Sequence, residues 1–244
     1  MLLDKLKAIL NHKDYTIFSR PYELNIIGIR GDSVQSNRFD DEIHVFYKTD
    51  AHNWRYHVYK ATTDPGTFWL KNPGQPQGTA ILAQGQYKGA YKLGMHQGKY
   101  KSLVQQKPVT VIRDYDRDAM LDFLNGSMST GFFGINIHRA SASGTAKYVD
   151  RYSAGCQVFE SSTAFNEFIK LCEHHSKLYG NAFTYTLIDF RAVKRETYRR
   201  IAITTGAIGV LGIGVLAIAN DKLRSISEQI TETFLNLFHN TRKN

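Results

Sequence analysis

Apolar and polar side chains alternate through most of the first 190 positions, and the alternation stops at clusters of Gly, Asn and Asp. Residues 22–30, 42–47 and 54–60 are rich in β-branched and aromatic side chains, so each predicts a strand. Residues 80–82, 85–87, 89–94, 109–112, 132–137 and 183–188 continue the pattern. Helical spacing is rarer. Residues 1–10 form a short amphipathic helix, 117–124 predict a second short one, and 163–178 a longer one with Ser161, Ser162 and Thr163 as candidate caps. Many strands with few helices predict a mainly β fold of the α+β class with a sandwich- or barrel-like core. No internal repeat or low-complexity linker interrupts it.

The pattern changes near residues 191–200. Residues 201–219 are nineteen positions without a charge, bounded by Arg199-Arg200 and Asp221-Lys222. As a helix this run is about 28 Å long, close to the thickness of a hydrocarbon core. Gly206, Gly209, Gly212 and Gly214 would weaken a soluble helix but favour close helix contact in lipid. Membrane insertion, direct or triggered, is the expectation; a buried glycine-rich hairpin or core helix is the alternative. Beyond it, Leu223, Ile226, Ile230, Phe234, Leu237 and Phe238 recur at mostly three- and four-residue steps. That spacing predicts an amphipathic helix that lies on a membrane, pairs with a partner or packs on its own domain. The organisation expected is therefore an N-terminal helix (1–16), a central domain (17–192) and C-terminal apolar and amphipathic helices (193–244).

Charge sharpens this division. The net charge is +9, and nine Lys or Arg against four acids follow Phe190. Basic residues flanking an apolar run point to anionic lipid headgroups. No basic stripe with interleaved aromatics marks a nucleic-acid groove, so nucleic acid is not an expected partner. Residues 1–10 carry charges within their apolar pattern and do not read as a secretory signal.

With 244 residues, 42% of them hydrophobic and 12% aromatic, the chain has ample material for a core. Its two cysteines argue against a disulfide scaffold. Cys172 shares a helical face with Phe165, Phe168 and Ile169 and reads as core packing. Cys156 has a different setting. It follows Ser153-Ala154-Gly155, and His138 ends an apolar stretch eighteen residues earlier. Thiol attack on an acyl carbon needs a nearby imidazole to take and return the proton. A glycine lets backbone N–H groups turn toward a developing oxyanion. The plainer alternative is a small buried cysteine and an unrelated histidine.

These residues carry a resemblance. The L,D-transpeptidase catalytic domain, the YkuD-like domain of bacterial cell-wall enzymes, has an apolar strand ending in Ile-His. Some fourteen to seventeen residues later it has Ser/Thr-His-Gly-Cys. This chain is similar, with Ile137-His138, fourteen intervening residues, and Ser153-Ala154-Gly155-Cys156. Thr63-Asp64-Pro65-Gly66-Thr67-Phe68 more loosely resembles the family's Thr-Pro-x-Gly-x-Phe region. The resemblance spans residues 20–190, and only the His/Cys segment is specific. Ala154 replaces the histidine that in the family helps surround the oxyanion, and Gln157-Val158 replaces an apolar-Arg pair.

The resemblance implies an L,D-transpeptidase-type catalytic domain in which Cys156 attacks a peptidoglycan stem peptide. His138 would then be the base, the Arg139 carbonyl would orient the imidazole, and the Gly155, Cys156 and Ala154 N–H groups would line the oxyanion site. Ser153 would hold the turn, or serve as a plain structural serine. An amine acceptor would give a cross-link; water would give trimming or cleavage. Cell-wall action without an export signal implies delivery by a phage virion, an injection apparatus or holin-type release, with membrane or particle association, and homo-oligomers, open to the C-terminal helices. The alternative from another class is a catalytically degenerate peptidoglycan-binding or structural particle protein.

Other candidates are weaker. His52 with His57, and Cys172 with His174 and His175, lack the closed four-ligand set of a structural zinc, so neither metal nor cofactor is expected. His174-His175 reads as a solvated face. The glycines of residues 85–89 lack the context of a phosphate cradle. His96 reads as a loop residue and a candidate for lining a substrate cleft.

Overall fold

A computed structural model describes residues 2–123 and 126–190. The first strands are Asn25–Arg30 (β1), Asp41–Lys48 (β2), Trp54–Thr62 (β3), Thr79–Leu82 (β4) and Gly85–His96 (β5). Tyr100–Gln105 (β6), Val109–Asp114 (β7), Met128–Gly131 (β8), Ile137–Arg139 (β9), Gln157–Phe159 (β10) and Phe183–Asp189 (β11) follow. The helices are Leu2–His12 (α1), Thr67–Lys71 (α2) and Ser162–Tyr179 (α3). The fold is mainly β with few helices, in two sheets. Eight strands close a barrel in the order β1-β11-β5-β6-β9-β10-β3-β2, and β4-β7-β8 form a small second sheet.

Strand alternation fills the barrel. Ile26, Ile43, Val45, Ala61, Tyr91, Leu103, Ile137, Phe159, Tyr185 and Leu187 belong to one buried cluster, as expected of a small barrel packed by side chains. The α3 helix adds Phe165, Phe168, Ile169 and Cys172 to it. Its cap is Ser161, whose hydroxyl accepts the Ala164 N–H at 3.3 Å. Cys172 is fully buried, and burial holds its thiol well above the ordinary range.

A buried cluster of charged side chains centres on Arg30. Arg30 is 1% exposed, pairs with Asp64 at 2.8 Å and Asp189 at 3.5 Å, and donates to the Thr63 carbonyl at 3.0 Å. Asp41 takes the Thr63 N–H at 2.7 Å and hydroxyl at 2.8 Å. A buried charge held this way is costly to strand by removing a partner. The network fixes the corner after β3. From that corner the Gly66 N–H donates to the Ser153 carbonyl at 2.9 Å, gripping the segment that leads to Cys156.

Several expectations change in the structure. Residues 85–94 form one strand rather than two, passing through Gly89 at φ +58°. Of residues 132–137, only Ile137 is in a strand. The Gln105 side chain accepts the N–H groups of Phe133 and Ile135, each at 3.1 Å, and so withdraws them from any ladder. Residues 117–123 are not helical. Asp116 accepts the Asp118 N–H at 3.2 Å and Asp118 the Met120 N–H at 2.5 Å, so short side chains capture the donors a helix would use. His175 is buried, not solvated, and its Nδ1 accepts the Leu24 N–H at 3.1 Å.

The chain divides into a compact unit, Leu3–Asp189, and a second comprising Met1–Leu2 with Phe190–Asn244. The helix expected at 1–16 is thus largely part of the barrel unit. The apolar run 201–219 and the amphipathic segment after it lie outside the described residues. Among the described residues no helix is long and apolar enough to cross a membrane.

Candidate active site

The parallel strands β9 and β10 bring the two ends of the motif together. Ile137 pairs with Gln157 and His138 with Val158, which sets Asn136 beside Cys156. The Asn136 N–H reaches Cys156 Sγ at 3.4 Å. The Cys156 thiol donates to the Gly134 carbonyl at 3.4 Å. No hydrogen bond joins it to His138 among the described residues.

His138 is 3% exposed, and its Nδ1 lies 2.8 Å from the Arg139 carbonyl. A carbonyl only accepts, so Nδ1 carries the proton and Nε2 keeps its lone pair. The Tyr100 hydroxyl donates to the same carbonyl at 3.2 Å and stands 3.3 Å from Nδ1. His138 Nε2 is buried and meets no partner among the described residues. Arg139 contributes its backbone here. Its guanidinium lies 4.4 Å from the Tyr100 ring centre and donates to the carbonyls of Ser141 and Ala142.

A second imidazole, marked in the sequence only as a candidate for lining a cleft, stands against His138. His96 ends β5 rather than occupying a loop, and its ring stacks on His138 with centroids 4.1 Å apart at 22°. Asn136 Nδ2 donates to His96 Nδ1 at 3.1 Å, while Asn136 Oδ1 accepts the Gln105 N–H at 2.9 Å. Tyr100 and Asn136 escaped the sequence reading altogether. The available signal was the β5–β6 hairpin, turned by Gln97-Gly98 with both φ angles positive, which pairs His96 with Tyr100.

Electrostatics leave the pair neutral. Burial, with His96 as the lesser contributor, pushes His138 down to about 3, against the opposing Arg139 hydrogen bond. Burial pushes the Cys156 thiol up to about 11, only partly offset by the Asn136 N–H. The site therefore rests as thiol and imidazole at neutral pH, not as a preformed thiolate–imidazolium pair.

The turn before Cys156 is tightly specified. Ser153 is fully buried; its hydroxyl donates to the Cys156 carbonyl at 2.8 Å and accepts the Gly155 N–H at 3.1 Å. The Gly155 N–H, expected at the oxyanion, is thus turned toward Ser153 instead. Gly155 has φ +117°, and a Cβ there would lie 2.1 Å from the Ala80 carbonyl oxygen. Ala154 is exposed and brings no side-chain donor. Among the described residues no group of His, Cys, Asp or Glu is arranged to hold a metal ion. The chain matches no protein-family model, no curated protein and no solved structure.

Proposed function

We propose that the barrel domain is a cysteine acyl-transfer enzyme of the L,D-transpeptidase kind, acting on peptidoglycan stem peptides through a thioester on Cys156. The observation that carries this reading is His138. A buried imidazole with its Nδ1–H fixed by a carbonyl and its Nε2 lone pair unpartnered is a prepared base, and the half-buried thiol that immediately precedes the neighbouring strand is the group it would serve. Rotation of the thiol away from the Gly134 carbonyl starts the reaction. As sulfur attacks the stem-peptide carbonyl, its proton passes to His138 Nε2 and the carbonyl oxygen takes the negative charge. Collapse forms the thioester, breaks the C–N bond and returns the proton to the leaving amine. An amine then completes a cross-link, or water completes a cleavage. Because both groups start neutral, the proton moves during attack rather than before it.

Membrane or particle association through residues 193–244, including delivery on a virion or injection apparatus, belongs to the same proposal and rests on the sequence of that segment alone. The alternative, a degenerate peptidoglycan-binding module, draws on one observation: the thiol is bonded to Gly134 and raised to about 11. Incubating the full chain with tetrapeptide and pentapeptide muropeptides, with and without an amine acceptor, separates the readings. Cleaved or exchanged stem peptide that disappears in Cys156→Ala and His138→Ala supports the enzyme. Muropeptide binding without turnover, unchanged in both variants, supports the module.

A further inference from the structure

The strand residue after the nucleophile is a buried amide where packing alone would favour an apolar side chain. Gln157 is 0% exposed. Its Oε1 accepts the Tyr185 hydroxyl at 2.7 Å, which fixes the amide so that Nε2 faces the opposite side. Nε2 donates to the Gly155 carbonyl at 3.3 Å and to the Thr63 carbonyl at 3.4 Å. Tyr185 is itself fully buried in the barrel and lies across Gly28, where a Cβ would come within 1.9 Å of its hydroxyl. The anchor therefore has little room to move.

We infer that Gln157 is the positioning residue that aims the Cys156 N–H as the oxyanion donor, through the peptide plane it shares with the Gly155 carbonyl. This rests on the thioester reading above. In a trans peptide the C=O and the following N–H point in opposite directions. Gln157 draws the Gly155 carbonyl toward the barrel interior, so the Cys156 N–H faces away from it, on the side of the half-buried thiol. No acceptor meets that N–H among the described residues. The Gly155 N–H is already spent on Ser153, and Ala154 supplies no imidazole. The Cys156 N–H is thus the principal donor left by the turn, and its direction depends on an amide one residue further along the chain. A preorganised donor of this kind acts on charge that develops only during acyl attack.

That dependence gives a test with two readouts on the full chain. Thioester formation from a tetrapeptide muropeptide develops an oxyanion; alkylation of Cys156 by iodoacetamide does not. Gln157→Met keeps the volume and removes the hydrogen bonds. It should slow thioester formation about a hundredfold, the effect of losing one oxyanion donor, while alkylation at pH 9 stays within about twofold of wild type. Tyr185→Phe leaves Gln157 in place but unanchored and should lose about tenfold in thioester formation only, a fraction of the full donor effect. It carries the test alone if Gln157→Met fails to fold by circular dichroism. Unchanged thioester formation in the folded variants overturns the inference, and so does an equal fall in both reactions, which would mark a merely structural role. A wild-type chain that forms no thioester removes the enzymatic reading and this inference with it. A wild-type chain that forms one at the same rate as the variants removes this inference alone.

Discussion

Replacing Gly155 by alanine probes the turn on which the proposed site depends. The new Cβ would lie 2.1 Å from the Ala80 carbonyl oxygen and 3.1 Å from Ile135 Cδ1, at a φ of +117°. The first distance is far inside van der Waals contact with a backbone atom of β4, which cannot swing aside as a flexible side chain would. Holding a non-glycine residue at such a φ costs about 1–3 kcal/mol. Relieving the overlap by moving backbone costs about 1–3 kcal/mol more. The sum, about 2–6 kcal/mol, converts to a fall of about 4–24 °C in Tm for a domain of this size. Gly98→Ala is the control, because Gly98 has φ +70° with nothing within 4 Å of a built Cβ. It carries backbone strain alone, about 1 kcal/mol. Thermal unfolding of both full-chain variants by circular dichroism separates the two contributions. Equal melting temperatures, within about 2 °C, would refute the close approach of the 153–156 turn to β4.

Three further outcomes are expected. Iodoacetamide labelling of Cys156 should be slow at pH 7 and rise about tenfold per pH unit toward a thiol titrating at about 11; a plateau between pH 6 and 8 would mean a preformed ion pair instead. Tyr100→Phe removes the hydroxyl that shares the Arg139 carbonyl with His138, and acyl transfer should fall about tenfold while folding is retained; an unchanged kcat would show that the Arg139 carbonyl holds the imidazole unaided. Asp114 is buried, and that burial, together with Asp116, Asp122 and Asp118, raises its carboxyl to about 6. A group raised in the folded state adds stability below its unfolded value, and that stability is lost as pH rises through about 6. Asp114→Asn should therefore be more stable than wild type by about 3 kcal/mol at pH 7.5 and close to it near pH 4; the reverse order in denaturant melts would contradict the burial of this carboxyl.

His138 and Cys156 are legible in sequence as a candidate pair because their approach is local in the fold. His138 lies on β9 and Cys156 immediately before β10, strands that become neighbours, and Ser153 and Gly155 announce the turn that leads into β10. Strands with clear alternation, such as β2 and β3, were legible for the same reason. What escaped was everything set by distant side chains. Gln105 unmakes the strand expected at 132–137 by capturing its N–H groups, and no local pattern records that capture. The acidic run at 114–122 imitates helical spacing, yet its carboxylates take the loop's own N–H groups. His96 and Tyr100 enter the site through a hairpin whose partner strand β9 lies some forty residues on, joined through a single registered pair, Leu103 with Ile137. Gln157 reads in sequence only as a departure from a motif; its hydrogen bonds depend on Tyr185 and Thr63, which the barrel alone brings to it.

The central claim is that Cys156 becomes acylated with His138 as its base. Its most direct test is intact-mass spectrometry of the full chain, acid-quenched within seconds of mixing with tetrapeptide muropeptide, beside Cys156→Ala and His138→Ala. The account predicts an acyl adduct on wild type that maps to Cys156 and is released by hydroxylamine, none on Cys156→Ala, and one slower by several powers of ten on His138→Ala. Stem-peptide turnover that persists in Cys156→Ala, or a wild-type chain that never carries an adduct on Cys156, would contradict it.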